Sequence, residues 1–246
     1  MPYPSPSEIR LGGILLSLGA LLTIICILLE VQAGWASLFT EMPRTDNEAG
    51  RFLAANWEAM RPIWTWSLIG NVLLAVASLL LLRLPRPVGR LPASLFWAGY
   101  FIGSLLLVVS FAISLGSYPA AFTVLEDRPY VFETVRGTPL YLFQIGALAG
   151  LSVFAIYFQQ GFSQAGAIAR GQAVVTLLLI IAAFVAVVLG LVSVAVFALA
   201  CLLVPLLLGL AYARDPHRHL LPEPAAELDG AGAQVNRIKE NTGARR

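Results

Sequence analysis

Of 246 residues, 58% are apolar and only 12% charged, with a mean hydropathy of +0.79, so a water-soluble domain of this length would lack the polar residues to cover its surface. The composition specifies an integral membrane protein. A formal net charge of +2, with no basic stripe interleaved with aromatics, excludes a nucleic-acid partner.

A helix needs about 20 apolar residues to cross a hydrocarbon layer of about 30 Å. Four runs meet that length with polar flanks, at about 9–31, 62–82, 92–115 and 139–158. A fifth uncharged run, 172–213, is about twice the length one crossing needs and must hold two spans. Gly190 and Ser193 are the turn residues near its middle, which places spans 5 and 6 at about 172–189 and 193–213. The fold class is therefore all-α, a six-span bundle over 9–213. The ends, 1–8 and 214–246, lack apolar periodicity and read as disordered.

Span 1 resembles a secretory signal only loosely, at Val31, Gln32 and Ala33. Its apolar stretch is longer than a signal core, so an uncleaved span is expected. Arg10, Arg83, Arg86, Arg90, Arg170, Arg214 and Arg218 fall on one side of a six-crossing chain. The other side holds five arginines against eight carboxylates. An excess of arginine marks the cytoplasmic face, so both termini should be cytoplasmic. One lysine among many arginines, with abundant Ala and Leu, suggests a bacterial inner membrane.

The first loop of the acidic side opens on Thr45 and Glu48, the spacing of a capping box. Leu53, Trp57 and Met60 follow as an apolar stripe, predicting a short helix over about 46–60 that lies in the membrane interface. Pro62 fits the first turn of span 2 and disfavours helix at Arg61, so a bend is expected there. Trp57, Glu58, Arg61, Trp64 and Trp66 are the candidate partner or ligand contacts, with Trp64 and Trp66 also suited to anchor the span at the interface. The second loop of this side repeats the mixture, with Glu126, Asp127, Arg128, Glu133 and Arg136; Glu58 with Arg61 and Glu133 with Arg136 have the spacing of helical ion pairs.

Within the spans, Ser67, Asn71 and Ser78 share a face of span 2 and Gln144 lies in span 4. Amides in hydrocarbon should face the bundle and bond across helices, either as packing contacts or as the lining of a path. Gly99 with Gly103, and Gly146 with Gly150, form two GxxxG seams, suited to packing within one bundle or to a homo-oligomer. Pro205 should kink span 6.

The spans exclude several chemistries. The one lysine, Lys239, lies in the tail, so no retinal Schiff base can form. The two histidines, His217 and His219, lie beyond span 6, which excludes a bis-histidine haem and leaves them as a solvated flank without further metal ligands. Cys26 and Cys201 lie in apolar runs and form no CxxC. No HExxH, GxSxG or phosphate-binding loop is present. The expectation is a non-enzymatic membrane protein, without cofactor or metal, that acts by interaction: an accessory or assembly subunit, or a binder of lipid or another apolar ligand. A small transporter or channel for a neutral solute, using Asn71, Gln144, Ser67, Ser78 and Pro205, is the alternative, and an interfacial lipid-modifying enzyme using Glu58 or Asp127 a further one.

Overall fold

The computed structural model describes residues 5–39, 45–84, 87–88, 91–162 and 168–216. In chain order these form α1 (Pro6–Gln32), α2 (Asp46–Leu81), a two-residue antiparallel pair β1 (Pro87–Val88) and β2 (Leu91–Pro92), α3 (Ala93–Phe122), α4 (Pro129–Gly150), α5 (Ser152–Phe162), α6 (Arg170–Val188) and α7 (Val194–Arg214). The described residues contain six helical stretches long and apolar enough to cross a membrane, α4 and α5 together making the fourth. His217, His219, Arg86, Arg90, Glu41, Arg44, residues 1–4 of the N-terminal segment 1–8 and nearly all of the tail 214–246 lie outside the described residues.

Where helix boundaries differ from the sequence expectation by more than two residues, the helix is longer. Helix α1 starts at Pro6 because Ser5 and Glu8 form a capping box, with Ser5 N donating to Glu8 Oε2 at 2.6 Å and Glu8 N to Ser5 Oγ at 3.3 Å. Residues 5–8 are thus the ordered start of a helix, whereas apolar periodicity alone begins at Ile9. Thr45 and Glu48 cap α2 in the same way. The helical stretch α2 then runs through Pro62 for 36 residues, with a kink at Asn56 that divides it into two helices, so the short helix that precedes span 2 ends there and span 2 begins ahead of Pro62. Its irregular residue is Asn56 (φ −115°, ψ 17°), where the side-chain Nδ2 donates to the Phe52 carbonyl at 2.8 Å; the bend falls there and not at Arg61. Pro119 and Pro139 likewise sit inside α3 and α4, so the segment expected as a second loop is mostly helical. A proline inside a helix leaves one carbonyl unbonded, a cost that packing against neighbouring helices can outweigh. The fourth stretch breaks once, at Leu151, where the Leu151 and Phe154 amides donate three residues back. Helices α6 and α7 are joined by a turn in which Gly190 takes φ +69° and Ser193 caps α7 by accepting from Ala195 N at 3.2 Å.

Helix packing follows an arc, α7–α1–α2–α3–α4, with successive members antiparallel. Helix α5 crosses back under the arc to touch α3, α6 and α7, and α6 packs on α7 and α5. The arc is held by backbone contact at glycines. A Cβ on Gly103 would lie 2.7 Å from both the Gly146 carbonyl oxygen and Gly150 N, and one on Gly146 would lie 2.9 Å from the Gly103 oxygen. The two GxxxG seams therefore face each other between α3 and α4, inside one bundle. Gly13 meets Gly209 across α1 and α7 at 2.6 Å, and Gly19 meets Gly70 across α1 and α2 at 2.8 Å. Glycine is required at these places because helix axes this close leave no room for a Cβ.

Two cores result. One, at the end of the bundle that carries Ser5 and Arg214 (the proximal end), gathers Leu16, Leu81, Trp97, Tyr157, Leu208 and Tyr212. The other, at the opposite (distal) end, gathers Leu53, Met60, Trp64, Tyr118, Leu125 and Phe132. Many large apolar side chains remain outward-facing, α6 most of all, through Val175, Leu178, Phe184 and Val188. Gly103→Ala should destabilise the protein by about 1–3 kcal/mol through overpacking. Gly116→Ala, with nothing within 4 Å of the new methyl group, should be neutral or gain up to about 1 kcal/mol from helix propensity; thermal unfolding of both in one detergent checks the contrast.

Candidate functional site

At the distal end the arc encloses a cavity of about 500 Å³. Helix α1 contributes Thr23, Ile27 and Glu30, α2 contributes Trp64, Ser67, Asn71 and Leu74, and α3 lines it from Tyr100 to Tyr118, about 27 Å of helix. The opposite wall is α4 and α5, from Arg136 to Phe154, and the first half of α7, from Val194 to Pro205. Helix α4 packs on α3, α2 and α5, and α7 on α1, α6 and α5, but α4 and α7 are not a packed pair. Both line the cavity without packing on each other. At the proximal end α5 closes the gap, tied to α6 by a 2.9 Å hydrogen bond between the Tyr157 and Thr176 hydroxyls.

The lining is largely aliphatic and aromatic, with polar groups confined to a few positions. Most of these are already engaged. Asn71 is buried and its Nδ2 donates to the Ser67 carbonyl of its own helix at 2.8 Å; the Ser67 hydroxyl meets the Cys26 thiol on α1. Ser110 Oγ donates to the Pro139 carbonyl across α3 and α4 at 2.7 Å, and Tyr118 bonds to Ser114. Arg136 forms an ion pair with Asp46, which ties α4 to the start of α2. Glu30 lines the cavity, with the Trp64 indole hydrogen-bonded to its carboxylate.

The residues singled out from sequence separate into two groups. Trp64 is buried at 6% exposure and Trp57 is half-buried. Glu58, Arg61 and Trp66 are exposed, Trp66 at 53%. Trp64 is the hub of the distal core, its ring edge-on to Trp35, Trp57, Phe111 and Tyr118 at centroid distances of 5.8–6.4 Å. The Leu53, Trp57 and Met60 stripe faces this core: Leu53 and Met60 are fully buried, and Trp57 stacks edge-on against Phe122. Its apolar partner is protein, where an interfacial helix would turn it to lipid.

The polar residues expected to bond across helices also need correction. Ser78 is buried but donates to Ala75 of its own helix at 2.8 Å and does not line the cavity. Gln144 is exposed and also stands outside the lining. It lies about 200° around α4 from Gly146, whose face is turned to α3, so docking of the glycine seam aims Gln144 away from the bundle. Interhelical bonds come instead from serines donating to main-chain carbonyls: Ser17 to Leu206 at 3.3 Å, Ser152 to Phe96 at 2.9 Å, and Ser193 to Ser37. Such pairs have no spacing signature, since the acceptor can be the carbonyl of any residue. Arg136 pairs with Asp46 where the sequence offered Glu133, because the bond spans two helices that only the fold brings together. Pro205 lines the cavity within a continuous α7.

Comparison with family models, with curated proteins and with solved structures finds no match.

Trp64→Ala should cost about 3–5 kcal/mol, the range for emptying an aromatic core position. Trp66→Ala should cost about 0.5 kcal/mol or less as a surface change; denaturant or thermal unfolding in detergent separates them. A double-mutant cycle on Asp46→Asn and Arg136→Gln should return a coupling of about 1 kcal/mol or less, because the Asp46 side chain is 43% exposed.

Proposed function

We propose that this chain is a non-enzymatic, six-span protein of a bacterial inner membrane, with both termini cytoplasmic, that holds a lipid or another elongated apolar ligand in its distal cavity. The observation that carries this reading is the cavity itself. Its volume of about 500 Å³ falls within the range of small-molecule sites, about 300–1,000 Å³, and its walls are mainly apolar with few polar groups. Helices α4 and α7 line the cavity without packing on each other, which suits a ligand that enters sideways between them from the membrane. The arginine asymmetry supports the orientation: Arg10, Arg83, Arg170 and Arg214 all sit at the proximal end.

A neutral-solute path draws less support. Asn71 and Ser67 do line the cavity, but Ser78 and Gln144 do not, the Asn71 Nδ2 is occupied by its own helix, and α5 crosses the proximal end. A lipid-modifying reaction at Glu58 or Asp127 draws no support either, since both are exposed and apart from the cavity. An accessory role in a larger complex is compatible with ligand binding, and the exposed Trp66 and Gln144 are the positions that a protein partner would cover.

Native mass spectrometry of protein extracted in mild detergent tests the reading. Wild type should retain a defined apolar ligand, at about one per chain. Ala147→Phe, which places a ring in the cavity wall of α4, should lose that ligand while unfolding at a similar temperature in its absence. An empty wild-type protein, or an unchanged adduct in the variant, would overturn the proposal.

A further inference from the structure

The distal end of the cavity differs chemically from the rest. Glu30 is a carboxylate on its wall, and the groups that act on it are the neutral Trp64 indole and burial. The ion pairs found among the described residues include none for Glu30; the arginine that lines the same cavity from the opposite wall, Arg136, is engaged by Asp46. Around this carboxylate four aromatic rings line the same space: Trp35, Trp64, Phe111 and Tyr118. Trp64 holds them together, with Trp35 at 6.0 Å, Tyr118 at 5.8 Å and Phe111 at 6.4 Å, all tilted edge-on. All four rings line the cavity, and ring faces attract cations within about 6 Å. A carboxylate in a mainly apolar cavity lined by aromatic rings favours an ammonium group over a neutral or anionic head. The aliphatic remainder, down to Leu74, Val153 and Pro205, favours a tail.

Resting on the reading of the cavity as an apolar-ligand site, we infer that its distal end is a receptor for an ammonium head carried on that tail, with Glu30 as the counter-charge and Trp35, Trp64, Phe111 and Tyr118 as the aromatic wall. Two sources carry this chemistry: the amine head of a membrane phosphatidylethanolamine, and a free lipophilic amine or quaternary ammonium compound.

The test titrates full-length protein in neutral maltoside detergent with dodecyltrimethylammonium and with dodecanol, which share a tail and differ in the head, following tryptophan fluorescence. Wild type should bind the cation about tenfold more tightly than the alcohol. Glu30→Gln should bring the two affinities together while leaving the dodecanol affinity within about twofold. Trp35→Leu should lower cation affinity with Glu30 intact. Unfolding temperatures measured without ligand establish that each variant is folded. Equal wild-type affinities, or a cation preference that survives Glu30→Gln, would overturn the ammonium receptor while leaving the apolar-ligand site standing; loss of binding for both compounds in wild type would overturn both. Native mass spectra of protein extracted from cells distinguish the sources. Phosphatidylethanolamine retained by wild type and lost in Glu30→Gln identifies the membrane lipid, whereas cation binding without a retained lipid identifies a free amphiphile.

Discussion

The structure depends on backbone-to-backbone contact at glycines. Within a bilayer, apolar side chains gain little by leaving lipid for a helix neighbour, so association rests on close packing and on hydrogen bonds between helices. Gly13 against Gly209, Gly19 against Gly70 and Gly103 against Gly146 bring three helix pairs so close that a methyl group at any of these positions would strike main chain. Each approach also brings polar groups within reach. Ser17 bonds to Leu206 one turn from the Gly13 contact, and Ser152 bonds to Phe96 just beyond the Gly103 contact. Small residues set the distances, and serines then use them.

The arc also accounts for the cavity. Its neighbours α7–α1, α1–α2, α2–α3 and α3–α4 are packed pairs, whereas its two ends, α4 and α7, are not. On α4, Gly146 is committed to α3. On α7 the cavity side carries Phe197, Ala198, Cys201 and Leu202, and Gly209, which makes the close approach, belongs to the α1 contact lower down. Both ends of the arc touch α5. The break at Leu151 lets the fourth stretch change direction, from the cavity wall in α4 to the closing contact in α5.

The distal aromatic cluster links this architecture to the candidate site. Trp64 packs the middle of the long α2 against α3, and its indole simultaneously bonds to Glu30 on α1. A residue that stabilises the junction of three helices is thereby fixed in position at the cavity wall, so structural and binding roles share one side chain. Trp66, two residues on, faces outward and takes part in neither.

Much of the fold was legible in the chain. Run lengths specify six helices able to cross a membrane, because the length an apolar helix needs is set by bilayer thickness alone. Thr45 with Glu48, and the turn at Gly190 and Ser193, are local signals, and local geometry satisfies them in place. Pro62 and Pro139 misled in a common direction: read locally they begin helices, but packing in the bundle sustains helix on both sides of each. Ser5 with Glu8 was a legible cap overshadowed by the lack of an apolar period before Ile9. The two GxxxG seams could be located but not paired, since spacing within a helix carries no information about which face it meets. Whether Asn71 and Gln144 point inward, which arginine pairs with Asp46, and that Glu30 and four aromatic rings border one cavity all depend on how helices distant in sequence rotate against one another. That rotation is decided by the glycine contacts, which exist only once the helices have packed.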